Sequence, residues 1–255
     1  MIALSLAGIA LISLLAQWLA WSVRVPAILF LLLSGLLLGP MTGMLDPDAL
    51  LGELLFPLVS LSVAIILFEG ALTLHLTELK GIGKVVRNLC STGMLVSFAV
   101  IGAASYWLLG LDWRVAMVLG AVLVVTGPTV VAPMLSVIRP VREVDKILRW
   151  EGIVIDPIGA LFAVLVFEAV RLGSQGDLID HTLLALAKTV GVGSLIGVAA
   201  GWITTLIMRK DWWPVSLHMF GVLALVLVTF TLSDWLSHES GLLAVTVFGI
   251  WLANQ

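Results

Sequence analysis

The stretch RWEGIVIDPIGALFAVLVFE, residues 149 to 168, sets Glu151, Asp156 and Glu168 into a run otherwise apolar enough for a bilayer. A charged side chain at that depth costs at least ~2.5 kcal/mol on insertion scales, so it persists only where it is paired, bathed by water or used. Asp156 is the sharpest candidate. It lies some six residues into the run from Trp150, is followed by Pro157, and has no basic side chain at i ± 3 or i ± 4. Desolvation penalises the bare charge, so such a carboxylate needs a proton or a hard cation and has room for one at a time. That competition is the simplest way to couple two ions through one site; the bland alternative is a neutral aspartic acid bonded to a backbone carbonyl. Glu151, five residues earlier, falls roughly 140° away around a helix, so the two do not form a dyad. It reads either as a snorkelling or salt-bridged residue near Arg149 or as a structural residue inside the bundle. Glu168, beside Arg171, reads as an interface residue, and Lys188 as a snorkelling lysine.

A second constellation lies in VVTGPTVVAPML, residues 124 to 135. Gly127 and Pro128 remove a helical hydrogen bond and relax the backbone in the middle of an apolar run, with Pro133 five residues on. Freed carbonyls exist at membrane depth only inside protein or against a water-filled cavity. Thr126 and Thr129 flank the break and add hydroxyls, which favours an ion or water site over an ordinary proline kink. Glu69, in ILFEGALTL, precedes a glycine at which another helix could approach. It reads as a buried hydrogen-bond acceptor or as part of an ion path.

The elements that must hold these residues follow from composition. The chain is 61% hydrophobic and 11% charged, with a mean hydropathy of +1.17, whereas soluble domains are roughly 45 to 50% apolar and about 25% charged. This is an all-α polytopic membrane protein. Apolar runs divided by charged or Gly/Pro breaks give about nine helices, near 2–21, 25–43, 54–74, 88–109, 115–137, 148–170, 183–208, 215–235 and 240–254. The first run has no basic residue before it and is long enough to span, so it reads as a helix and not as a cleaved signal. A net charge of −3 points to no nucleic acid or anionic surface as partner. Cys90 stands alone, and His75, His181, His218 and His238 lack ligand spacing, so no cofactor or resident metal is expected.

Ten of the thirteen basic residues fall in the joints after runs one, three, five and seven: Arg24; Lys80, Lys84 and Arg87; Arg139, Arg142, Lys146 and Arg149; Arg209 and Lys210. The opposite joints hold Arg114 and Arg171 against Asp46, Asp48, Glu53, Asp112, Asp177, Asp180, Asp234 and Glu239. The positive-inside rule then puts the N-terminus outside and Gln255 on the cytoplasmic side. Trp18, Trp21, Trp107, Trp113, Trp150, Trp212 and Trp235 sit near run ends, as an interfacial belt would.

RVPAILFLLLSGLLLGP, LFEGALTL, TGPTVVAPML and RWEGIVIDPIGA, in this order over residues 24 to 160, resemble the monovalent cation:proton antiporter family of CPA1-type sodium/proton exchangers. The resemblance implies the first part of an inverted-repeat fold with a broken helix in run five, in the inner (plasma) membrane of a bacterium and commonly in a homodimer. Its substrates would be protons and Na+ or K+. Asp156 then matches the transport aspartate, which alternates between proton and cation, and Thr126 the threonine at the helix break, with Gly127, Pro128 and Thr129 around it. Glu151 matches a structural glutamate thought to pair with an arginine of the second half of the fold, and Glu69 the acidic residue that backs the site.

Two positions depart from the pattern. Ile155 stands where the family usually has asparagine, and Gly127 where many members have an acidic residue. One deep carboxylate fits an electroneutral one-for-one exchange. Residues 1–255 read as one transmembrane antiporter domain, expected to be incomplete at its C-terminus because family members run on past nine helices. A passive cation channel and a non-transporting membrane scaffold or fragment are the alternatives. An intramembrane aspartyl protease would need a second deep aspartate, and none is present, so no enzyme is expected.

Overall fold

The computed structural model describes residues 2–172 and 178–255. Asp177 of the expected outer joint lies outside the described residues, as do the side chains of Thr129, Asp180 and His181. All regular structure among the described residues is helical: α1 (Ile2–Val23), α2 (Ala27–Leu36), α3 (Pro47–Leu51), α4 (Leu55–Ala71), α5 (Leu79–Asn88), α6 (Met94–Leu109), α7 (Trp113–Leu123), α8 (Pro128–Ile138), α9 (Arg142–Leu172), α10 (Leu178–Arg209), α11 (Val215–Leu236) and α12 (Ser240–Ala253). A π turn at Leu37–Met41 extends α2, and another at Leu89–Gly93 carries α5 into α6. Among the described residues, six stretches have the length and hydropathy to cross a bilayer: Leu4–Val23, Pro47–Ala71, Leu76–Leu109, Arg142–Arg171, Leu186–Arg209 and Val215–Leu236. Three further apolar helices, Ala27–Met41, Trp113–Leu123 and Ser240–Ala253, are shorter.

Local chemistry explains several of the ends. Asp46 caps α3 by accepting from the Asp48 and Ala49 N–H groups at 3.0 and 3.2 Å, with Pro47 in the first turn where a missing N–H costs nothing. Asp112 caps α7 through the Arg114 N–H at 2.9 Å. Gly110 ends α6 in the left-handed conformation, φ 64°, which a side chain would resist.

Two expectations are corrected here. The basic segment after run three is not an open joint: Lys84 and Arg87 lie on α5, and Lys80 sits at a kink whose next residue, Gly81, has φ 113°. Beyond the kink, Ile82 and Val86 lie one helical turn apart and pack on the core, which Leu79 also joins from before it. Trp150 does not belong to the interfacial belt. It is 3% exposed and packs with Ile153, Cys90 and Val86, whereas Trp21, Trp107 and Trp235 are each at least 78% exposed. Closeness to a run end cannot separate these cases, because the side of the helix decides.

The chain forms two compact units, Met1–Ser62 with Thr129–Val141, and Val63–Pro128 with Arg142–Gln255. In the first, α1 packs on α2. The second has a core of Ala71, Leu74, Val86, Cys90, Met94, Val124, Trp150, Ile153 and Ile155. Its helices meet at glycines. Gly120 of α7 approaches the backbone of α6 at Phe98 and Gly102, where a Cβ would lie 3.0 Å from the Phe98 oxygen. On α10, Gly193, Gly197 and Gly201 recur every four residues and face Ser240, Ala244, Val247 and Trp251 of α12, the small-xxx-small pattern that lets membrane helices touch backbone to backbone. Asn254, just past α12, accepts from the Leu76 N–H at 2.8 Å and donates to the Leu74 carbonyl at 3.0 Å, clasping the joint between α4 and α5. A salt bridge of 3.1 Å from Lys146 to Glu78 ties the start of α9 to the same joint.

Candidate functional site

α9 runs unbroken from Arg142 to Leu172, with Pro157 inside it. Its continuity keeps Glu151 and Asp156 on different sides of the helix, and the structure gives the two carboxylates different partners. Glu151 is half-buried and its Oε1 accepts a hydrogen bond from the Thr126 hydroxyl at 2.8 Å. Arg149 pairs instead with Asp145, one turn earlier, at 3.0 Å. Of the two sequence readings of Glu151, the bond to Thr126 is the structural one, and the salt bridge to Arg149 does not form.

Asp156 is half-buried, and among the described residues its side chain has no hydrogen-bond or salt-bridge partner. Ile155 beside it is 3% exposed and belongs to the core. The position that resembles an asparagine site has thus become a packing position, leaving Asp156 without an amide neighbour at that point.

Between α7 and α8, residues 124–127 carry no helical assignment. This segment meets α9 at two levels. Thr126 bonds Glu151, and Val125 packs against Gly159, where any Cβ would collide with it. Glu151 and Gly159 are eight residues apart, about 12 Å along the axis, and Asp156 lies at a height between them. The irregular backbone and the unpartnered carboxylate therefore occupy the same level of α9. Neither contact is visible from spacing, since 25 residues separate Thr126 from Glu151. Pro128 is buried, and Gly127 is half-buried.

Glu69 does not join this group through its own side chain. It is exposed on α4, and Gly70 is the residue that meets α9, with a Cβ position 3.4 Å from Ile153 and 3.9 Å from Pro128. Adjacent helical residues point about 100° apart, so turning Gly70 to α9 turns Glu69 away. The reading of Glu69 as a buried acceptor is set aside. Glu168 is half-buried, and Lys188 is exposed.

The Thr126 bond gives a direct test. Thr126 is exposed and Glu151 half-buried, so Thr126→Val, which removes the donor, is expected to cost about 0.5–1.5 kcal/mol of stability. Thr126→Ser keeps the donor and should melt close to the parent. Thermal unfolding followed by size-exclusion chromatography separates them; equal melting of both variants would show that the bond contributes nothing.

Residues 8–255 match the family model described as sodium/hydrogen exchanger, transmembrane. A Na(+)/H(+) antiporter of Methanocaldococcus jannaschii is 28% identical, the alignment covering 100% of this chain and 60% of the relative. A K(+)/H(+) antiporter of Alkalimonas amylolytica is 26% identical, over 96% of this chain and 42% of the relative. The chain therefore spans about two fifths to three fifths of the length of these relatives. Among solved structures, a sodium proton antiporter of Methanocaldococcus jannaschii seen by electron microscopy superposes over 100% of this chain and 62% of its own, with a TM-score of 0.77 and 24% identity. The likeness shows the fold.

Proposed function

We propose, since this chain belongs to the sodium/hydrogen exchanger transmembrane family, that it exchanges a monovalent cation, Na+ or K+, for a proton through Asp156. The observation that carries this reading is a half-buried carboxylate with no partner among the described residues, level with a stretch of non-helical backbone. Such a carboxylate is free to take either ion and holds one at a time, so proton release and cation uptake are mutually exclusive and the exchange is one for one. Among the described residues no three His, Cys, Asp or Glu side chains come together. A cation at Asp156 would complete its shell with carbonyl, hydroxyl or water oxygens, the ligands that suit weakly held alkali ions in transit.

Supporting roles follow from position. The Thr126 to Glu151 bond holds the irregular segment against α9 and keeps its carbonyls in register with Asp156. Gly127 and Pro128 keep residues 124–127 out of the helix, and Thr129 follows Pro128 in the first turn of α8. Glu69 stands next to the α4–α9 crossing, where it would draw cations toward the site without ligating them. The N-terminus lies outside and Gln255 on the cytoplasmic side of a bacterial inner membrane, in a homodimer.

The test is dissipation of a respiration-driven pH gradient in everted vesicles carrying the 255-residue chain after pulses of Na+ or K+. Exchange predicts cation-specific proton movement that persists when the membrane potential is clamped to zero. Flux that follows the potential with no obligatory proton countermovement would instead identify a channel. Absence of any ion-linked proton signal in vesicles containing folded protein would overturn the reading for this chain.

A further inference from the structure

The first compact unit carries an open cavity of about 1000 Å³, lined at one end of α1, α2 and α8 by the exposed residues Arg24, Arg139, Gln17 and Ser22, with Val25, Leu31 and Val137 among its apolar walls. Neither arginine has a hydrogen-bond or salt-bridge partner for its side chain among the described residues, and no acidic residue lines the cavity. Both break a backbone rule. Arg24 has φ 60° and Arg139 φ 50°, in the left-handed region that glycine occupies at helix ends and that L-residues adopt at a cost. Among the described residues, two of the four non-glycine residues in this conformation thus stand at one cavity, both with guanidinium groups. A cation is at ease near a helix C-terminus. That accounts for one arginine at a time and not for two from separate helices converging on one space with no counter-charge.

We propose that this cavity binds the headgroup phosphate of an anionic phospholipid, gripped by Arg24 and Arg139 with Gln17 and Ser22 as further hydrogen-bond donors. Guanidinium groups match phosphate oxygens in geometry and charge. A lipid source is favoured over free phosphate by what surrounds the arginines. The walls are partly apolar, Trp21 at the rim is 79% exposed, and α1 presents Leu14, Leu15 and Trp18 at 53 to 63% exposure, a surface for acyl chains beside the headgroup. The net charge of −3 hides this site, because two arginines in one cavity form a local field that a whole-chain sum does not register. On the orientation proposed above, the cavity opens at the cytoplasmic leaflet, where anionic lipids concentrate; lipid retention itself does not depend on that orientation or on exchange.

Native mass spectrometry of the purified 255-residue chain, with phosphatidylglycerol and phosphatidylcholine offered in equal amounts, tests the site. Preferential retention of phosphatidylglycerol is expected, weakened at least about tenfold in Arg24→Gln/Arg139→Gln and largely kept in Arg24→Lys/Arg139→Lys. Arg87→Gln, a charge removed from α5 in the other unit, should leave retention unchanged. Inorganic phosphate added in excess should fail to displace the lipid. Equal retention of both lipids by the parent chain, undiminished phosphatidylglycerol retention in the double Gln variant, or displacement by inorganic phosphate would each overturn the assignment. The parent chain's lipid preference decides the matter even where a variant misfolds. A chain that retains the lipid but shows no exchange in vesicles would refute the transport reading and leave this one standing.

Discussion

Asp156→Asn is expected to abolish cation-driven proton movement in everted vesicles, down to the level of vesicles lacking the protein, while leaving the fold intact. The substitution keeps the size of the side chain and removes the ability to release and rebind a proton. It breaks no contact found among the described residues, because Asp156 has no recorded partner there, and it removes a charge from a half-buried position. Stability is therefore expected to stay within about 1 kcal/mol of the parent or to rise. Flux and melting temperature must be read together. Loss of flux with an unchanged melting temperature identifies Asp156 as the exchange site. Loss of both would assign it a structural role, and unchanged flux would remove it from the mechanism.

The second large effect is expected at the contact between α10 and α12. Gly191→Ala and Gly197→Ala make the same chemical change six residues apart on one helix, and opposite outcomes are predicted. A Cβ on Gly191 meets no atom within 4 Å, whereas a Cβ on Gly197 collides with the Ala244 carbonyl oxygen and Val247. Alanine at 191 should stabilise by up to about 1 kcal/mol through helix propensity alone. At 197 the colliding atom is backbone, so α12 itself must move, and the loss should reach the upper part of the ~1–3 kcal/mol range for overpacking or exceed it. Gly193 and Gly201, with Cβ positions 2.8 Å from the Ser240 oxygen and 2.6 Å from Trp251, make a local rearrangement at 197 difficult. Thermal melting of the purified variants separates the two cases, and similar melting temperatures would show that the helices part at little cost.

Asp156 stands out in the sequence because a carboxylate with no basic residue a turn away breaks the pattern of an apolar run, and the non-helical segment near Gly127 because proline and glycine change backbone chemistry wherever they fall. The all-helical character follows from the lengths of the apolar runs, whereas among the described residues the structure divides the nine runs into twelve α-helices. Faces were much less legible. In a membrane helix apolar residues cover all sides, so hydropathy does not say which side meets protein, and Trp150 was assigned to the belt although it lies in the core. The same limit hid the orientation of Glu69, which depends on Gly70 being turned to α9. The α5 helix reads as a joint in the sequence because its basic residues dominate local hydropathy, although Ile82 and Val86, one turn apart beyond the kink at Gly81, pack on the core. Pairings between distant residues, such as Thr126 with Glu151, left no trace in a single chain.

The clasp at Asn254 has a consequence for how the protein is made. Its partners, Leu74 and Leu76, precede it by about 180 residues. At about 5–20 residues per second, the ribosome reaches Asn254 roughly 10 to 35 s after the joint between α4 and α5 has been synthesised. Throughout that interval the Leu74 carbonyl and Leu76 amide lack the partner they have in the finished fold and depend on interfacial water. The facing ends of α4 and α5 are thus made well before the residue that clasps them. A nascent chain arrested before Asn254 has left the ribosome would hold this joint open to protease and to labelling reagents, and extension that brings Asn254 out would close it.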